Sequence, residues 1–170
     1  SKFHSKKKQI IISKFKPIKS IKVNQIESKI IDFENSRKNL LLPNIKSQFD
    51  KKLYSTYLTY LPTKKFTYNL NQHLDKRGIF CEVFKHKNFG QISFLTINPH
   101  QIRGEHFHNT KVEKFLLISG KCKFTFNDQN SSKKITISCD SKNPKIVETI
   151  PGWVHKIYNP SNKLAIVMIW

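Results

Sequence analysis

Apolar residues recur with two different periods along this chain. Over residues 23–39, Ile26, Ile30, Ile31 and Phe33 return at roughly helical spacing with Glu27 and Asp32 interspersed, and Leu40, Leu41 and Leu42 followed by Pro43 close the run; this spacing predicts one helix. Residues 47–61 carry Phe49, Leu53, Tyr57 and Leu61 at every fourth position before Pro62, which predicts a second amphipathic helix or a turn-rich linker. Beyond Pro62 the period changes to two. Short β-branched and aromatic runs occupy 66–70, 79–84, 91–97, 113–118, 121–126, 133–138, 146–150, 153–158 and 164–170. Turn signals separate them, such as Arg77-Gly78, Phe89-Gly90, Ser119-Gly120, Asn127-Asp128 and Asn159-Pro160. So many short strands without an intervening helical period predict an all-β antiparallel sandwich or jelly-roll barrel over residues 63–170, preceded by a helical segment and linker over residues 1–62. No parallel α/β unit can be placed in the barrel region.

Composition narrows this picture. A chain of 170 residues with 13 Phe and 21 Ile can build one sizeable core, so disorder of the whole chain is not expected. The formal net charge is +20, which draws attention to nucleic acid or an anionic membrane. The basic set nevertheless contains only three arginines, Arg37, Arg77 and Arg103, whereas base reading and bidentate phosphate clamping favour the planar guanidinium. The joint abundance of Lys, Ile and Asn has the look of an AT-rich coding bias, and nucleic-acid binding is not expected. A Lys-rich arm for polyanions is the residual electrostatic reading: residues 1–68 hold 16 basic against 4 acidic side chains. Cys81, Cys122 and Cys139 form no CxxC pair and leave an odd count, which suits a reducing cytoplasm better than a disulfide framework. The apolar runs at 10–12 and 40–42 are too short for a membrane span or a secretory leader. Starting at Ser1 without Met, the chain reads as a fragment or processed product.

The most informative stretch is Gly104-Glu105-His106-Phe107-His108, with Glu113 five residues later and Gly120 beyond it. On a strand, positions i and i+2 share a face, so His106 and His108 project the same way while Glu113 begins the next strand across a short connection. Farther on, Pro151-Gly152-Trp153-Val154-His155 places a third imidazole at the start of a later strand, with Asn159 four positions on and the same way up. Three neutral imidazoles and one carboxylate suit a borderline divalent metal such as zinc, iron, manganese or nickel, with room for an open position.

These residues resemble the two signature motifs of the cupin superfamily, G(x)nHxH(x)4E(x)6G and PG(x)2H(x)3N. Upstream, Asp75-Lys76-Arg77-Gly78-Ile79-Phe80-Cys81-Glu82 resembles the DxRGxFxE segment of deoxysugar-nucleotide 3,5-epimerases of the dTDP-rhamnose type, and Arg103-Gly104-Glu105-His106 resembles their RGxH. From about Ile26 onward, through Ser36-Arg37-Lys38-Asn39-Leu40, Phe49-Asp50-Lys51-Lys52-Leu53-Tyr54 and His108-Asn109-Thr110-Lys111-Val112-Glu113-Lys114, the chain is similar to the C-terminal portion of the bifunctional capsular-polysaccharide enzymes of the CapF (WbjC-like) type. In that family a short-chain-dehydrogenase-like reductase precedes a zinc cupin that epimerises C3 of a UDP-4-keto-6-deoxy-N-acetylhexosamine before NADPH-dependent reduction, on the way to N-acetyl-L-fucosamine.

The resemblance implies a cupin jelly-roll, preceded by the helical tail of the reductase, that works as a homodimer on a UDP-sugar. It implies zinc or another divalent metal on His106, His108, Glu113 and His155. Arg77 and Arg103 would hold the diphosphate, with Phe80 and Glu82 as pocket residues. For proton transfer His106, His73, Lys114 and a metal-bound hydroxide are the candidates. NADPH belongs to the reductase portion, for which the chain has no GxxGxxG loop; Tyr60 and Lys64 imitate a YxxxK pair, but Pro62 interrupts the helix such a pair needs. Family members also continue past Trp170. Cupins host many activities, so an oxygenase or isomerase and a non-catalytic sugar-binding remnant stand as alternatives.

Overall fold

The computed structural model describes residues 20–170. The run at 10–12 and residues 1–19 of the candidate polyanion arm lie outside the described residues.

Helix α1 (Val23–Lys38) and helix α2 (Gln48–Thr59) occupy the two stretches of helical period. Asn39 ends α1 and Leu40 follows with φ 57°, a left-handed residue after which the Leu41 N–H returns to the Ser36 carbonyl. Helix α2 starts on a reciprocal cap in which Ser47 Oγ accepts from the Asp50 N–H while an Asp50 carboxylate oxygen accepts from the Ser47 N–H. The helices meet where Phe33 packs edge-on against Tyr54, with ring centres 4.9 Å apart, and where Lys29 reaches Asp50 at 2.7 Å. The inward stripe of α1 is therefore Ile26, Lys29, Phe33 and Ser36, whereas Ile30 and Ile31, expected on it, are exposed. Ile30 falls beside the contact with α2 and Ile31 on the opposite face of the helix.

Ten strands follow among the described residues: β1 (Gln72–Asp75), β2 (Gly78–His86), β3 (Gly90–Ile97), β4 (Ile102–His106), β5 (Lys114–Ser119), β6 (Lys121–Asp128), β7 (Lys134–Asp140), β8 (Ile146–Glu148), β9 (Trp153–Tyr158) and β10 (Ala165–Ile169). They form two antiparallel sheets, β1-β2-β3-β10-β5-β8 and β4-β9-β6-β7, the jelly-roll arrangement. Between the sheets lie Leu95, Ile97, Phe115, Leu117, Phe124, Phe126, Ile157 and Val167. Segment 40–42 stitches the helical part to the barrel, since the Lys85 N–H donates to the Leu40 carbonyl and the Leu42 N–H to the Lys85 carbonyl.

The strand expected at 66–70 does not form. A short 3-10 helix (Thr63–Lys65) and irregular chain stand there, and Phe66 and Tyr68 are exposed. With no neighbouring strand to supply a ladder, β-propensity alone does not order this segment, which instead docks on α1 through Arg37: its guanidinium covers the Tyr68 ring and bonds the Lys65 carbonyl. No helix among the described residues is long and apolar enough to cross a membrane.

Candidate metal centre

His106 ends β4 and His155 lies in β9, and the two pair across the sheet. Their meeting depends on a bulge: the register slips between Gly104 and His106, where Gly104 has φ 88° and Glu105 φ 68°. His108 is not on the strand with His106 as its spacing suggests. The strand stops at His106, and His108 sits in the following loop, pinned by the Gly152 N–H donating to its carbonyl. Glu113 just precedes β5, where its N–H donates to Thr149 Oγ1 at 2.8 Å and its carbonyl accepts from the Thr149 N–H.

One ligand atom from each of His106, His108, Glu113 and His155 lies within 4.8 Å of the others. The imidazole of His106 is 4.8 Å, centre to centre, from that of His155 and 4.9 Å from that of His108. Glu113 Oε2 lies 3.3 Å from His155 Nε2 and 3.4 Å from His108 Nε2. Burial, then the neighbouring imidazoles of His155 and His108, push the His106 pKa below its ordinary value, so it is held neutral and able to donate a lone pair. Burial works against ionisation of Glu113, but hydrogen bonds from His155 and Lys111 outweigh it and hold the carboxyl at about 2. His108 Nε2 is buried with no hydrogen-bond partner although it faces this carboxylate. The neutral imidazole of His106, an ionised carboxylate and the orphaned nitrogen of His108 turned toward it, with His155 beside them, fit a divalent cation. The His155 ring is oriented by packing between Phe115 and Phe126, its Nδ1 being buried without a partner. Asn159, expected the same way up, is fully buried and donates to the carbonyls of Ile97, Asn98 and Lys163, so it ties loops together away from the cluster.

The cluster opens on a cavity of about 770 Å³ that is also lined by Arg77, Phe80, Arg103, Lys111, Gln91 and Trp170. Asp75 joins the two arginines: Arg77 donates to its Oδ2 from Nε at 3.0 Å and from Nη2 at 2.6 Å, and Arg103 Nη1 stands 3.4 Å away. Arg103 is 8% exposed, and its Nε and Nη2 are buried without partners. Burial lowers its pKa while Asp75 opposes the shift. The other sequence candidates lie apart from this lining. His73 is exposed on β1 with its ring 6.3 Å from that of Phe80, Glu82 pairs with Lys85 at 2.8 Å, and Lys114 pairs with Glu148 beneath the Trp170 ring. Thr149 and Lys111 escaped sequence reasoning as site residues. Thr149 carries no motif signal, whereas Lys111 stands two positions before Glu113, a spacing that could have pointed to it.

A two-sheet jelly-roll holding three imidazoles and a carboxylate in its cavity defines a cupin with a candidate metal centre. The chain belongs to the polysaccharide biosynthesis C-terminal domain family, whose match covers residues 73–170. It is 39% identical over 154 residues, 91% of its length, to the UDP-2-acetamido-2,6-beta-L-arabino-hexul-4-ose reductase of Pseudomonas aeruginosa, and spans 41% of that relative. The capsular polysaccharide assembling protein CapF from Staphylococcus aureus superposes with a TM-score of 0.84 at 34% identity, over 87% of this chain and 40% of that one. The Drosophila melanogaster CENP-C cupin domain shares the fold alone, with a TM-score of 0.52 at 12% identity over 88% of this chain and 98% of that one. The chain is thus a CapF-like C-terminal domain of polysaccharide biosynthesis.

Proposed function

We propose that this domain, with zinc bound, epimerises C3 of a UDP-4-keto-6-deoxy-N-acetylhexosamine, serving N-acetyl-L-fucosamine synthesis for a capsular or surface polysaccharide in the cytoplasm. The observation that carries the reading is a single cavity holding both the His106, His108, Glu113 and His155 cluster and the buried, partly unpaired Arg103. The P. aeruginosa relative supports the substrate class, since its name specifies a UDP-linked acetamido sugar with a ketone at C4. A ketone there acidifies C3–H, and a divalent cation supplies a Lewis acid for the charge that grows on the carbonyl oxygen as the proton leaves. Arg103 and Arg77 bind the diphosphate, Arg103 through the two nitrogens left free beside Asp75. Phe80 gives the sugar an apolar wall. Of the side chains considered for the proton, His106 alone lines the cavity, and there it is taken up as a ligand, while His73 and Lys114 lie outside the lining. The reading treats the chain as one half of a homodimer, with NADPH chemistry confined to a reductase portion it does not span.

An epimerase must exchange C3–H with solvent even when no reductase traps the product. Incubation of the chain with the UDP-4-keto sugar in D2O is expected to place deuterium at C3, read by NMR, with zinc and not after chelation. Exchange at the buffer rate with metal bound and the fold intact would favour a non-catalytic sugar-nucleotide module instead.

A further inference from the structure

The two oxygens of Glu113 face different partners. Oε2 stands against His108 and His155, whereas Oε1 lies 2.7 Å from Lys111 Nζ. Lys111 comes from the loop between β4 and β5, lines the cavity and has a side chain 56% exposed. Thr149 already fixes the Glu113 backbone from both its N–H and its carbonyl. The rotation of the carboxylate is what those bonds leave free, and Lys111 Nζ holds its Oε1 while the histidines face its Oε2.

A carboxylate ligand can bind a cation through one oxygen or through both, and the second mode occupies two neighbouring positions. An ammonium on the outer oxygen gives that oxygen a hydrogen bond of its own and repels a cation from it. We propose that Lys111 is a positioning residue that confines Glu113 to coordination through Oε2 alone, and thereby keeps a cavity-facing position free for the keto oxygen of the substrate. Lys111 also balances the charge of Glu113, the one anion in the ligand set, so the cation keeps its full pull on a neutral carbonyl. The inference rests on the metal reading given above.

The test loads the chain with excess cobalt(II), whose visible absorption weakens as coordination number rises, and reads the symmetric and antisymmetric stretches of 13C-labelled Glu carboxylates by infrared difference spectroscopy. Wild type is expected to bind one cobalt with intense absorption and a wide carboxylate splitting. Lys111→Met is expected to keep the metal while its absorption weakens and its splitting narrows, as Oε1 joins the coordination; Lys111→Arg, which still reaches Oε1, restores the wild-type spectra. Wild-type spectra in Lys111→Met would overturn the inference, and so would loss of cobalt from that variant, which retains all four ligands. Failure of wild type to take up cobalt would instead bring down the metal reading.

Discussion

Arg103 carries more consequence than its single ion pair suggests, because it is buried with two nitrogens unbonded. Such a group is costly to the empty domain and is compensated when an anion enters. A charge-assisted bond to phosphate contributes about 1.5–3 kcal/mol, so Arg103→Ala should weaken UDP binding about ten- to a hundredfold by calorimetry. Unchanged affinity would place the diphosphate elsewhere. Asp75 sets the orientation of both arginines. The hydrogen bond from Arg77, partly opposed by desolvation and helped by the nearby Arg103 charge, holds its carboxyl at about 2. A carboxyl depressed on folding contributes stability that is complete above its unfolded value of about 3.9 and is lost as pH falls toward about 2. Asp75→Asn should therefore flatten the acid limb of a stability profile below about pH 4, measured by denaturant midpoints. An equally steep limb in the variant would show that the three side chains do not act together.

At the scale of elements, the bulge of β4 decides whether the ligands meet. A Cβ on Gly104 would stand 2.8 Å from the His155 carbonyl oxygen and 3.2 Å from Lys156 Cα, backbone that cannot turn aside, and the residue has φ 88°. Gly104→Ala should push β4 off β9 and shift His106 from His155, lowering metal affinity about ten- to a hundredfold with no ligand changed, as read by competition with a chelator. Gly90→Ala is the control, since φ is 82° there but nothing lies within 4 Å of the added carbon. Equal affinities in the two variants would mean that β4 tolerates displacement. The same strand shows what sequence can and cannot reveal. Strands β2, β3, β6 and β9 advertise themselves because apolar side chains alternate toward a core. Strand β4 has one large apolar residue, Ile102, and a glycine; β1 is exposed along its length and has no alternation to read. The candidate ligands were legible as residue types at a spacing, but the geometry assigned to them was not: the bulge at Gly104 and the loop position of His108 depend on pairing with β9, some fifty residues away. The empty β-signal at 66–70 has the same cause in reverse, a propensity with no partner strand.

At the scale of the whole molecule, the +20 formal charge acts on everything that enters the cavity. A field of that sign attracts a UDP-sugar, whose diphosphate is anionic, and repels the divalent cation that the four ligands would bind. Both effects reach through solvent over about a Debye length, near 10 Å at 0.1 M salt and about 3 Å at 1 M. Salt should therefore move the two association rates in opposite directions. In stopped-flow measurements, UDP association is expected to slow as sodium chloride rises from about 0.05 to 0.5 M, while uptake of zinc by the metal-free chain, followed with a chromophoric chelator, quickens. The dissociation rates should respond less, because the partners each ligand meets inside the cavity, Arg103, Glu113 and His155, are buried and poorly screened. A UDP association rate independent of salt would mean that the lysines are spread too evenly to direct an anion. Their number would then have no bearing on how an anion reaches the cavity, and Arg103 and Arg77 would have to provide the attraction at contact distance.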